Sequence, residues 1–289
     1  MEATWARFDD GRLHFQHGPI DLIIGADGDA DAVAAAEAAA WRRFREVLAE
    51  LVAELGVLRR AVGPASSAQG PVARRMLEAC RPFAAPPYRL FITPMAAVAG
   101  AVAEEIAAPF RREGIRRAYV NNGGDIAVVL APGTRFDVGV VEHPGRPAPA
   151  ASIRVEADSG IGGIATSGWR GRSFSLGIAD SATVVASGAA QADAAATLVA
   201  NAVDAQHPSI RRAPADSLKD DSDLGDRAVT VGVGPLPHDV VQDALDRGVE
   251  FARDVCRQGL IIGAWITLQG STRAVGQESA MIHPAAMRA

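Results

Sequence analysis

Lysine is almost missing from this sequence: Lys219 is the single one among 289 residues. It stands in the aspartate-rich stretch Asp216–Asp226. A phosphate-binding loop of the Gly-Lys-Ser/Thr type therefore has no lysine to build on, and a Schiff-base enzyme has no lysine on an apolar element. Cysteine is as sparse, with Cys80 and Cys256 far apart and no Cys-x-x-Cys pair. That excludes a cysteine-rich zinc site and suits a reducing compartment. No run approaches the roughly 20 uncharged apolar residues that span a bilayer, so no transmembrane helix and no membrane partner are expected. The residues Met1–Trp5 lack the basic start and apolar core of an export signal, so a cytoplasmic location is expected. The arginines come as short pairs such as Arg111/Arg112, Arg116/Arg117 and Arg211/Arg212, and the net charge is −5. This balance excludes a nonspecific nucleic-acid binder. The six histidines form no His-x-x-x-His pair, and no Gly-x-Ser-x-Gly elbow supports a serine nucleophile.

What is present is a globular composition, 48% apolar and 22% charged, with no repeat and no shift that marks a boundary. Leu13–Gln16 and Asp21–Gly25 read as strands around a Gly18-Pro19 turn. Asp29–Leu55 carries Ala36, Ala40, Phe44, Val47, Leu48, Leu51 and Leu55 at helical spacing and predicts one long helix with Asp27 or Asp29 as N-cap. Pro71–Cys80 predicts a short helix, Arg81–Pro87 a break, and Met95–Arg112 a helix so small-sided that it must pack closely. The middle is strand-dense: Arg117–Asn121, Asp125–Leu130, Phe136–Val141, Ser152–Glu156, Gly162–Ala165, Phe174–Leu176 and Ala182–Ser187. After helix Ala189–Val203, the polar stretch His207–Asp226 reads as a mobile insertion. Strand Ala228–Gly232, helix Asp239–Arg257 and strand Leu260–Leu268 follow. The expectation is one α+β domain over 1–270 and a flexible tail over 271–289.

Three constellations carry candidate chemistry. Asn121-Asn122-Gly123-Gly124-Asp125 joins two strands. Asn-Gly is the strongest short hairpin signal, and the same glycines would let backbone N–H groups approach a phosphate or ribose. Ala165-Thr166-Ser167-Gly168 offers two hydroxyls and open N–H groups, as a phosphate cradle or as an ordinary strand end. Asp193 and Thr197 lie four apart on one helix face. They present oxygens of the kind Mg²⁺ takes beside substrate phosphates, or a first-turn aspartate and a threonine bonded to its own helix. The segment Thr230–Pro235 is half of a dinucleotide fingerprint without its third glycine, and is discounted.

In this order the three motifs resemble the ApbE-like superfamily of FAD:protein FMN transferases: Asn-x-Gly-Gly-Asp, Ala-Thr-Ser-Gly, then a strand and Ala-Asp-Ala-x-x-Thr. The likeness spans Ile92–Asp204. His17–Leu22, Ile92–Ala101 and Gly259–Ile261 are similar to an uncharacterised cytoplasmic branch. The resemblance implies an ApbE-like, T-fold-related mixed or antiparallel sheet packed with long helices. It implies FAD as a phosphorylated small-molecule ligand, with Asn121–Asp125 and Ala165–Gly168 as cofactor-binding residues. It also implies Mg²⁺ held by Asp193 and Thr197, and FMN passed to an acceptor protein with release of AMP, or FAD hydrolysis.

The sequence departs from that pattern in two places. Where the family has Asp-Leu-Gly-Gly-Ile-Ala-Lys-Gly, this chain has Thr93-Pro94-Met95-Ala96-Ala97-Val98-Ala99-Gly100, without the acid or the lysine. The family's His-x-x-Asp-Pro segment is missing, and Asp180 is the candidate to stand for its aspartate. The alternative function is a non-catalytic flavin- or nucleotide-binding protein, or an oligomeric scaffold. The alanine-rich helices would serve a homodimer interface or a core equally well.

Overall fold

The structure is a computed structural model that describes residues 2–140, 151–276 and 282–284. In chain order the strands are β1 Thr4–Arg7, β2 Leu13–His17, β3 Ile20–Gly28, β4 Ile115–Asn122, β5 Asp125–Leu130, β6 Arg135–Val140, β7 Ala151–Glu156, β8 Gly163–Ser167, β9 Ser181–Ala186, β10 Ile210–Pro214, β11 Ala228–Val233, β12 Gly263–Leu268, β13 Ser271–Gly276 and β14 Ile282–Pro284. The helices are α1 Ala30–Ala53, α2 Leu55–Leu58, α3 Pro71–Ala84, α4 Val98–Ala107, α5 Ala189–Ala202, α6 Ala215–Leu218 and α7 His238–Arg257. This is an α+β fold with antiparallel sheets. No helix among the described residues is long and apolar enough to cross a membrane. The chain divides into two compact units, each assembled from three separate stretches: 1–135, 156–165 and 186–194 in the first, the remainder in the second. Because the chain enters and leaves each unit repeatedly, no single linker exists for a composition shift to mark.

In the first unit, β1, β2, β3, β4, β5 and the start of β8 follow one another as antiparallel neighbours. Alternation in β2 and β3 sends Leu13, Phe15, Ile20, Leu22 and Ile24 into the core. Helix α1 meets them with the predicted stripe of Ala36, Ala40, Phe44, Val47 and Leu51, and Phe15 lies 5.3 Å from Phe44, ring to ring. Asp29 takes the N-cap position without a side-chain capping bond. Helix α3 buries Val72, Met76, Leu77, Cys80 and Phe83 and runs to Ala84. The predicted break at Arg81 therefore comes four residues late: Pro82 sits close enough to the helix end that little further bonding is lost. Helix α4 is shorter than predicted, preceded by a 3₁₀ turn at Pro94–Ala97. It buries Gly100, Ala101, Val102, Ala103, Ile106 and Ala107.

Three helices of this unit share charges. Arg43 of α1 binds Glu50 at 2.6 Å and Glu105 of α4 at 2.6 Å. Arg75 of α3 binds Glu105 at 2.8 Å and Glu104 at 3.4 Å. Burial works against the charged form of Glu105, but hydrogen bonds from Arg43 and Arg75 outweigh it and hold the carboxyl below its ordinary pKa. The same carboxylates raise the pKa of Arg43.

In the second unit, β9, β12 and β13 pair antiparallel, α7 packs on β12 and β13, β10 pairs with β11, and β7 lies between β6 and β14. Several expectations change here. His207–Asp226 is not an unstructured insertion, since Ile210–Pro214 pairs with Ala228–Val233 and α6 follows. Phe174–Leu176 is not a strand. Leu176 N donates to the Asn201 side chain at 2.9 Å, and a Cβ at Gly177 would stand 2.2 Å from the Ala200 carbonyl oxygen, so the segment lies tight on α5. Ser271–Gly276, the start of the expected tail, is a strand paired residue for residue with β12. Gln269 and Gly270, at φ of 46° and 80°, make the two-residue turn that a tight hairpin requires. Of the remaining tail, residues 277–281 and 285–289 lie outside the described residues, as does Val141 at the end of the expected strand Phe136–Val141.

Replacing Glu105 tests the ion network. Glu105→Gln leaves two part-buried arginines short of a partner and is expected to cost about 3 kcal/mol at pH 7. Because the folded pKa of Glu105 is depressed, its contribution is full above its unfolded pKa and is lost as pH falls through the folded one. Urea melts of both proteins should thus differ at pH 7 and converge below about pH 4; a pH-independent gap would refute this account.

Candidate active site

The first motif is a hairpin whose two asparagines do different work. Gly123 and Gly124 turn at φ of 65° and 115°, and the Asn121 side-chain oxygen accepts from Gly124 N at 2.8 Å, closing the turn. Asn122, last in β4, is buried at 6% exposure and points the other way, donating its side-chain N–H to the Ala99 carbonyl at 3.1 Å. Ala99 and Gly100 open α4.

The third motif also arrives at Ala99, and at Gly100 beside it. Asp193, in the first turns of α5, accepts from Gly100 N at 2.9 Å and from the Ala99 amide. Glycine is needed for this approach, since a Cβ at Gly100 would stand 2.2 Å from the Ala189 carbonyl oxygen. Gly162 and Gly163 crowd the same turn from β8, where their Cβ atoms would meet Ser187 O at 2.1 Å and Ala189 N at 2.2 Å. Glycines on two elements thus bring α4, β8 and the start of α5 to backbone contact, and fix Asp193 over the α4 N-terminus.

The electrostatics follow from this placement. Burial pushes the Asp193 carboxyl well above the usual carboxylate range, and the charge of Asp125 adds to it; the Gly100 and Ala99 amides pull it back. Burial also raises the Cys80 thiol, with Asp193 contributing, and that thiol donates to Thr93 O at 3.4 Å. Asp193 still keeps some solvent access. The charge of Asp125 is felt at Asp193, and carboxylate oxygens are of the kind that a hard cation takes. Among the described residues no three or more His, Cys, Asp or Glu side chains gather as a metal cluster. Mg²⁺ does not need one, because it keeps waters and takes one or two carboxylates.

The other predicted residues divide between the units. Ala165 belongs to the first unit, and Thr166, Ser167, Gly168 and Thr197 to the second. Thr166 and Thr183 share a hydroxyl hydrogen bond at 2.8 Å. At Gly168, φ is 155° and a Cβ would stand 2.5 Å from the Asp180 carbonyl oxygen, so this glycine serves backbone packing. Asp180, the candidate for the family aspartate, is engaged by three donors. Its carboxylate accepts from Trp169 Nε1 at 3.1 Å, Arg170 Nε at 2.6 Å and Gln269 N at 2.6 Å, and ties the loop to β12 and its turn. Sequence reasoning missed the Ala99–Gly100 backbone, where Asn122 takes the Ala99 carbonyl and Asp193 the two amides. Its one available signal was a glycine inside an otherwise alanine- and valine-rich helix.

The fold and this site define an α+β protein in which an Asn-Asn-Gly-Gly-Asp hairpin and an aspartate-bearing helix meet at a third helix's N-terminus. The chain belongs to the family described as AbpE bacteria, whose model matches residues 5–274. It is 33% identical to the UPF0280 protein of Methanopyrus kandleri over 231 residues, 76% of this chain and 89% of that one. To the UPF0280 protein of Methanothrix thermoacetophila it is 34% identical over 163 residues, 56% and 61% of the two chains. Among solved structures, the apo flavinyl transferase ApbE of Pseudomonas stutzeri aligns over 96% of this chain and 95% of its own, at 11% identity and a TM-score of 0.46. The ApbE protein of Thermotoga maritima aligns over 96% and 98%, at 14% identity and a TM-score of 0.43.

The close approach at Gly100 is testable. Gly100→Ala is expected to destabilise the protein by about 1–3 kcal/mol, because the clashing atom is a backbone oxygen that cannot swing away. A thermal melt within one degree of the parent would show that the α4–α5 contact is looser than described.

Proposed function

We propose that this protein acts on FAD or a related phosphorylated cofactor with Mg²⁺, transferring the flavin nucleotide or cleaving the FAD pyrophosphate. One observation carries the reading: Asn122 and Asp193, from two separate motifs of the family pattern, meet at Ala99, where Asn122 bonds the carbonyl and Asp193 the amide, with the Gly100 amide beside it. Convergence of motif residues on one point is what a site requires and what independent structural roles do not. In this reading Asp193 is the principal metal ligand, with Thr197 one helical turn on as the second protein oxygen. Asn121–Asp125 and Ala165 offer backbone and amide contacts to the nucleotide. Thr166, Ser167 and Gly168 offer hydroxyls and an N–H to a phosphate. A bound cation would polarise the phosphoryl oxygens and stabilise charge at the bond broken. The residues' own work is to hold Asp193 as an acceptor with one face open, and to keep Asn122 from rotating.

A specific observation favours a second reading, binding without turnover. The family's lysine position is Ala99, and both backbone groups of Ala99 are already bonded, to Asn122 and Asp193. No side chain there can reach a phosphate.

The two readings part on one experiment. FAD binding is measured with and without Mg²⁺, and the mixture is then chromatographed for AMP and FMN. The proposal expects Mg²⁺-dependent binding and AMP release; binding without products, with or without Mg²⁺, supports the second reading, and no FAD binding at all overturns both. Asp193→Asn, which keeps an acceptor for the Gly100 amide but loses the charge, should weaken Mg²⁺-dependent binding by at least tenfold, on the order of 1.4 kcal/mol.

A further inference from the structure

Asp193 is held by α5, and α5 begins at Ala189 with amides that no residue of its own turn accepts. One of them, Ala190 N, donates to Glu104 Oε2 of α4 at 3.2 Å. Gly188 makes room for that carboxylate, since a Cβ there would stand 2.9 Å from the same oxygen. The Glu104 side chain is in turn fixed from behind. Arg75 reaches its Oε1 at 3.4 Å and holds Glu105 at 2.8 Å, while Arg43 holds Glu105 and Glu50. An unbroken series of charged contacts thus runs from Glu50 on α1 to the first turn of α5. The two helices cap each other: α5 lends Asp193 to the α4 N-terminus, and α4 lends Glu104 to the α5 N-terminus.

We infer that Glu104 is a positioning residue for the Asp193 site, fixing the first turn of α5 against α4 so that the Asp193 carboxylate stands over the Ala99 and Gly100 amides in the place where it would meet a cation. This rests on the reading of Asp193 as a metal ligand. Glu104 does not touch the ligand. Its carboxylate fills the amide end of α5, so a phosphate group has no place at that terminus and must be held elsewhere. The geometry needs an acceptor oxygen at Glu104 and does not need its charge, which sets the pattern expected of substitutions.

The test uses the full chain and Mn²⁺, followed by electron paramagnetic resonance, as a visible stand-in for Mg²⁺. Glu104→Ala is expected to weaken Mn²⁺ binding about tenfold, as loss of a group that orients a ligand commonly does. Glu104→Gln, which keeps an oxygen for Ala190 N, should stay within about threefold of the parent. Glu50→Gln disturbs the same ion series at its far end and touches neither α5 nor Asp193; it should leave Mn²⁺ affinity unchanged. Hydrogen exchange supplies a readout without metal, with Glu104→Ala speeding exchange at residues 188–193 and 98–101 and Glu104→Gln not doing so. Parent-like affinity and exchange in Glu104→Ala, or equal loss in Glu50→Gln, would overturn the inference. If the parent binds no Mn²⁺, the metal reading of Asp193 fails, and the exchange pattern still decides whether Glu104 positions the turn.

Discussion

Everything near the candidate site depends on two helix N-termini that satisfy each other. A helix leaves its first amides unbonded, and burying them without acceptors is costly. Helix α4 buries six of its ten residues, Gly100 in its first turn among them, so that turn gains from an acceptor supplied by the protein. Asp193 meets that need at α4, and Glu104 meets it at α5. Neither carboxylate works alone: each helix must stand at the right height along the other for both bonds to form. The small residues at Gly100, Gly162, Gly163 and Gly188 are what allow this approach. The arginines behind Glu104 and Glu105 keep the acidic end of the arrangement from repelling itself.

This constraint has an electrostatic consequence. Asp193 must stay an acceptor while surrounded by protein and beside Asp125, so its carboxyl is raised well above the ordinary range. The folded state therefore keeps that proton to higher pH than the unfolded chain, and stability falls as pH rises through the interval between the two pKa values. A cation at the same place would remove the penalty by supplying the missing positive charge. On the proposed reading, the raised carboxyl of Asp193 and its use as a metal ligand share one cause, the same burial.

Much of this was legible before any coordinates. Strand β5 and helices α1, α5 and α7 fall within two residues of their predicted bounds, because each carries an unbroken period or stands between glycine and proline punctuation. The α+β class and the family pattern were legible from the ordered motifs. The errors have physical causes. Strand β10 is too polar to show alternation, and gains its place by pairing with β11. Strand β13 follows a Gln-Gly turn instead of Asn-Gly, so Gly270 reads as an ending. The three partners of Asp180 were not legible either, because nothing in sequence brings Trp169, Arg170 and Gln269 to it. The Ala99–Gly100 amides were invisible for the same reason: backbone donors carry no residue type.

That last point bears on the family lysine that this chain lacks. A lysine at position 99 would add a cation beside Asp193 and Asn122. Here the residue is alanine, and its backbone N–H and C=O are the groups in use. Amides stabilise negative charge in fixed directions and cannot titrate, whereas a lysine adds a full and movable charge. Loss of the lysine therefore removes a charge without removing donors, and leaves the carboxylates of Asp193 and Asp125 uncompensated by any residue at that position.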